Sequence, residues 1–120
     1  MKLSEAIRIG AKKRPQCFTV LFLHPTDPMN KSGVIQSCAL GAGLEGAGII
    51  NPEELQYPCD PEWKADVFTG MGSYKERGSG YFRCPICDFE DDSLELTIHL
   101  NDAHEWSRER IADWLESIGY

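Results

Sequence analysis

The chain has 120 residues, 42% of them hydrophobic, enough for one modest core and too few for two independent ones. That composition excludes a chain disordered throughout, and no apolar run approaches the roughly 20 residues needed to cross a bilayer. The net charge of −7 is lopsided: residues 1–80 hold 9 basic and 9 acidic side chains, residues 81–120 hold 3 and 10. An acidic segment of this kind speaks to partners rather than to fold, and it argues against gripping nucleic acid.

In chain order, the opening "MKLSEAIRIGAKKRP" lacks the apolar stretch of a secretory signal, so a cytoplasmic location is expected. Leu3, Ala6, Ile7, Gly10 and Ala11 instead recur at helical spacing, and Pro15 closes the run. "CFTVLFLH" (17–24) is apolar and rich in β-formers, which predicts a buried strand. "PTDPMNKSG" reads as a loop.

"SCALGAGLEGAG" (37–48) predicts a helix with Ser37 as N-cap and Gly48 as its stop. Ala39, Gly43 and Ala47 leave a bare face on which another element can pack closely. "NPEEL" and "DPEWK" read as two short helix starts, each with a capping residue and a Pro at the first helical position. The Gly-rich residues 71–80 read as a connector. In "SRERIADWLESIG", Ser107 is the expected N-cap, and Ile111, Trp114, Leu115 and Ile118 form one face. A finger of two dozen residues has no core to receive that face, so the helix should dock on the N-terminal half. Trp63, Trp106 and Trp114 read as core anchors, with Trp106 shielding His104.

The chemistry concentrates in "YFRCPICDFEDDSLELTIHLNDAH". Cys84 and Cys87 are two residues apart, eleven residues precede His99, and His104 follows after four more. Five cysteines cannot complete an intramolecular disulfide framework, and in a reducing compartment this pattern reads as metal ligation. Structural zinc takes four such ligands in a tetrahedron. Two thiolates and two neutral imidazoles balance the charge of one zinc ion and leave no open position for catalysis. Five helical steps of ~100° do not return to the same face, so His104 can join only if the helix ends before it.

Base-reading positions of a DNA-binding finger would fall on Asp92, Glu95 and Ile98, poor readers of a phosphate-lined groove. The acids Asp88, Glu90, Asp91, Asp92 and Glu95 should be largely exposed, which suits a basic protein surface better. The alternatives are a nucleic-acid-binding regulator and a cysteine enzyme. In the enzyme, Cys38 would be the nucleophile at a helix start and His24 its base. A small core residue is the plainer reading of Cys38.

The expected fold is α+β and mainly helical, a single domain over 1–120. Residues 1–70 form a helix–strand–helix core, 81–105 a ββα-like zinc finger and 106–120 an amphipathic helix. The expected function is a non-enzymatic interaction module holding one zinc ion. The ending "HLNDAHEWSRERIADWLESIG", with "LSEAIRIGA" and "SCALGAGLEGAG", resembles a set of short uncharacterised proteins of bacteria and their phages. These share a cysteine pair before an HLND-x-H-x-WSRE-x-IADW ending. The resemblance implies zinc on Cys84, Cys87, His99 and His104 and brings no activity with it.

Overall fold

Leu3, Ala6, Ile7, Gly10 and Ala11 all lie on the buried face of a first helix, α1 (Leu3–Ala11). Glu5, in its first turn, reaches back to accept the Lys2 backbone N–H at 3.2 Å. The computed structural model that places these residues describes 1–55 and 81–120. The 71–80 connector, "DPEWK", Cys59 and Trp63 lie outside the described residues.

The strand expected over 17–24 shrinks to β1 (Phe22–Leu23), paired antiparallel with β2 (Gln36–Ser37). Phe18 and Val20 are exposed, and Thr19 sits at φ +69°, a left-handed conformation that no regular strand accommodates. Apolar composition alone could not reveal this, because the group holding Thr19 in place is Asp102, 83 positions away. The loop between β1 and β2 is organised by Asn30. Its amide donates to the Leu23 and Val34 carbonyls at 3.0 and 2.7 Å.

The small-residue helix is α2 (Ala39–Gly46), and its N-cap is Cys38 rather than Ser37. The Cys38 sulfur accepts the Gly41 N–H at 3.3 Å, while Ser37 is consumed by β2. The C-terminal stop is as expected. Gly48 takes φ +73°, and the N–H groups of Gly48 and Ile49 bond back to Glu45 and Leu44 at 3.0 Å, a Schellman closure. The close approach to α1 uses a different set of small residues from Ala39, Gly43 and Ala47. A Cβ on Gly10 would strike the Ala42 carbonyl, and one on Gly46 the Ala6 carbonyl. "NPEEL" is an isolated turn, not a helix start. Asn51 accepts the Glu53 and Glu54 N–H groups at 3.1 Å, and no helical turn follows within the described residues.

The C-terminal part holds a hairpin of β3 (Phe82–Arg83) and β4 (Glu90–Asp91), then α3 (Ser93–Asp102) and α4 (Arg108–Ser117). Asp92 caps α3 and Ser107 caps α4, both as the sequence predicts. Leu96 and Leu100 of α3 and Ile111 and Leu115 of α4 are fully buried, in one core with Leu3, Ile7, Leu40 and Leu44. Each such side chain contributes roughly 1.5–3 kcal/mol through burial. The last helix therefore does dock on the N-terminal half, with Trp106, Trp114 and Ile118 packed against the core's edge. Four helices and two small antiparallel sheets make a helix-rich α+β domain among the described residues. No described helix is long and apolar enough to cross a membrane.

Candidate metal centre

The site grows from two backbone devices. After β3 the chain turns sharply: the Cys84 N–H donates to the Phe89 carbonyl at 2.8 Å, and the Ile86 N–H points at the Cys84 sulfur at 3.4 Å. That knuckle returns Cys87 to the side of Cys84 and gives one thiolate a backbone donor. Downstream, the Asp92 carboxylate accepts the Leu94 and Glu95 N–H groups at 3.0 and 2.9 Å, which starts α3 and puts His99 in its second turn. The helix ends at Asp102, and Glu105 takes φ +52° just beyond. His104 thus lies past the helix end and swings back toward His99, as the spacing requires.

Cys84, Cys87, His99 and His104 bring one ligand atom each to within 4.8 Å of one another. The His99 Nε2 lies 3.2 Å from the Cys87 Sγ and 3.1 Å from the His104 Nε2. Tetrahedral zinc, with bonds of about 2.3 Å to sulfur and 2.0–2.1 Å to nitrogen, needs edges of about 3.4–3.8 Å. Shifts of about 1 Å or less would regularise the group. Hydrogen bonding is a poorer account of the same geometry. One ring nitrogen has a single in-plane direction, as lone pair or as N–H, and cannot serve both neighbours well. A cation shared at the centre satisfies all of them. The donor set therefore fits one metal ion.

Cys84 is buried and the other three are half-buried. The Phe89 ring stacks on His99, with centroids 4.4 Å apart and planes at 18°. This apolar cover was not anticipated. Trp106, expected beside His104, instead carries Arg110 over its ring at 3.8 Å. Burial and, secondly, the neighbouring His104 lower the His99 pKa, which keeps its imidazole neutral and able to ligate.

The acids around the site divide by task. Asp92 is spent on capping, Asp91 accepts the Asp92 N–H at 2.7 Å, and Asp88 pairs with Arg83 at 2.6 Å. Glu90 and Glu95 are exposed, and neither forms an ion pair among the described residues. Burial, then Asp91 and Asp92, raise the Glu95 pKa, a sign of like charges crowded together. Of the base-reading positions, Asp92 is occupied by its own helix and Ile98 packs against the core, so only Glu95 is presented.

Cys38 is a structural thiol. Its sulfur is 5% exposed and caps α2, and burial pushes its pKa up to about 11. Burial likewise pushes Cys17 up to about 12. Both shifts oppose the thiolate a nucleophile needs.

Three residues of the C-terminal motif have roles the spacing did not announce. Asn101, 1% exposed, accepts the Gln16 amide and the Ala39 N–H at 2.9 and 3.0 Å. It donates to the Cys17 carbonyl and to Asp102 at 3.0 and 2.8 Å. Asp102 also accepts the Thr19 N–H at 3.0 Å. Arg108, 6% exposed, forks between Ser37 on one side and the Ala11 and Arg14 carbonyls on the other. An Asn within a helix is a weak helix former, and that was the one available hint of a tertiary task.

Searches against family models, curated proteins and solved structures found no match to this chain.

Proposed function

We propose that the protein is a zinc-stabilised, non-enzymatic interaction module whose acidic finger surface meets a basic protein partner. The observation that carries the metal reading is the convergence of Cys84, Cys87, His99 and His104. Two thiolates and two imidazoles in a near-tetrahedral group favour zinc over hard cations, which prefer oxygen. When bound, the ion would supply a cross-link and no catalytic position, because protein atoms fill its coordination. A reducing, cytoplasmic setting suits four free cysteines on the described residues.

Support for the partner surface is the charge left over after folding. Glu90 and Glu95 remain exposed, and the exposed Arg83–Asp88 pair contributes little to stability, so it can open to a partner at small cost. Half-exposed Ile86 and Phe89 add apolar contact beside these carboxylates. Binding of DNA through the finger is the weaker reading, because its presented reading position is an acid.

Elemental analysis of the purified protein should give one zinc per chain. A pull-down at low and high salt should recover a basic partner that is lost when Glu90 and Glu95 are changed to Ser, since screening sets in over ~8 Å at physiological ionic strength. Equal recovery by the variant would remove the acidic surface from the proposal while leaving the metal scaffold. A folded protein that takes up no zinc would remove both.

A further inference from the structure

The two candidate histidine ligands bracket Leu100, Asn101, Asp102 and Ala103, and the polar pair in the middle faces the N-terminal half. Asn101 fills its hydrogen-bonding capacity with Gln16, Ala39, Cys17 and Asp102. Its bond to the Ala39 N–H satisfies the first N–H of α2, which Cys38 itself does not reach. Asp102 holds the N–H of Thr19, a β-branched residue kept at φ +69°. Gln16 donates to Asn101 and also to the Trp106 carbonyl at 2.8 Å, just past His104. One turn of α3 and its exit thus clasp residues 16–19 and the start of α2. Behind that clasp lie Cys17 and Cys38, 2% and 5% exposed.

We propose that metal binding gates these two thiols: His99 and His104 fix the turn bearing Asn101 and Asp102, and metal loss unclasps residues 16–19 and Ala39, exposing Cys17 and Cys38. The inference rests on the metal reading above and adds to it a metal-dependent switch. The bonds that form the clasp are side-chain bonds to a short, strained loop. The packing of α1 on α2 runs through Gly10, Ala42, Gly46 and Ala6, which take no part in the clasp. The gate can therefore open while that packing stays closed.

The test uses the full chain, zinc-loaded and chelator-stripped, treated with an alkylating reagent and read site by site by mass spectrometry. Cys17 and Cys38 should label at least about 10-fold faster after stripping and regain protection when zinc is restored, a coupling of ordinary allosteric size. Amide exchange in the interiors of α1 and α2 should remain slow in both states. Asp102→Ala, which removes no ligand, should still bind one zinc but label faster at Cys17 in the loaded state. Because coupling is reciprocal, its zinc affinity should fall by a matching factor in a competition titration.

Unchanged labelling on stripping overturns the gate while leaving the metal site standing. Simultaneous loss of protection throughout α1 and α2 also overturns it, since the metal would then hold the whole fold rather than a clasp. Asp102→Ala with faster labelling and unaltered zinc affinity counts against coupling through this turn. A chain that binds no zinc overturns the metal reading, and this inference with it.

Discussion

Cys87, His99 and His104 crowd their ligand atoms to 3.1–3.2 Å, closer than three polar atoms would gather without something shared between them. Replacing His99 with Ala should abolish stoichiometric zinc binding and cost about 3 kcal/mol or more, because structural zinc is worth roughly 10 kcal/mol or more in finger peptides. Urea unfolding with and without chelator reads this directly. Wild type should lose stability on chelation, and the variant should be indifferent to it. The same histidine sets an acid limit. Its pKa in the folded chain is lowered from 6.5, so the unfolded chain binds the proton more readily. The sign follows: its contribution is fully present above the unfolded value and is lost as pH falls through the depressed one. Metal binding acts in the same direction, because protons compete with zinc for imidazole and thiolate. Stability should fall as pH drops from 7 toward 5. A flat profile over that range would remove His99 from the folding equilibrium.

At the scale of elements, the contact of α1 with α2 sets local preference against packing. Ala is the better helix former by about 1 kcal/mol, so propensity alone makes Gly46→Ala stabilising. The tertiary contact says otherwise, because a Cβ there would sit 2.8 Å from the Ala6 carbonyl carbon and 2.9 Å from the Gly10 nitrogen. Both are backbone atoms that cannot swing aside. Overpacking of this kind costs about 1–3 kcal/mol, so the variant should lose about 2 kcal/mol, visible as a lower urea midpoint. An equal or higher midpoint would mean that the two helices can slide apart freely. What was legible in the sequence follows the same division. The faces of α1 and α4, the Asp92 and Ser107 caps and the four candidate ligands were readable, because each is written within a few neighbouring residues. The strand over 17–24 was misread because Thr19 answers to Asp102. The α2 cap was misplaced because a thiol rarely serves as one. The small residues that actually meet could not be chosen before both helices were placed together. Phe89 on His99 escaped notice for a like reason, since hairpin register alone brings that ring over the site.

Across the whole molecule, Arg108 joins parts that the chain separates by some 70–100 positions. Its guanidinium is 6% exposed, and no acidic side chain pairs with it among the described residues. The charge is held by dipoles instead. Ser37 takes one arm through its hydroxyl at 2.9 Å, and the Ala11 and Arg14 carbonyls take the other at 3.1 and 2.6 Å. Ala11 lies at the C-terminal end of α1, where the helix dipole welcomes a cation. Burial still lowers the Arg108 pKa, so the desolvation is only partly offset. This planar fork fastens the first turn of α4 to both α1 and β2, and it fixes the direction in which Ile111 and Leu115 enter the core. Arg108→Met keeps much of the volume but leaves several buried oxygens without a donor, each costing about 1–3 kcal/mol unless water reaches it. A loss of about 3 kcal/mol or more is expected by urea unfolding. Arg108→Lys keeps the charge but has a compact head that cannot span both sides, so it should fall between Met and wild type. Zinc content should stay at one per chain in both variants, because none of the four candidate ligands touches the fork. If the Met variant matched wild type in stability, the fork would be incidental and the apolar face of α4 would suffice to dock it.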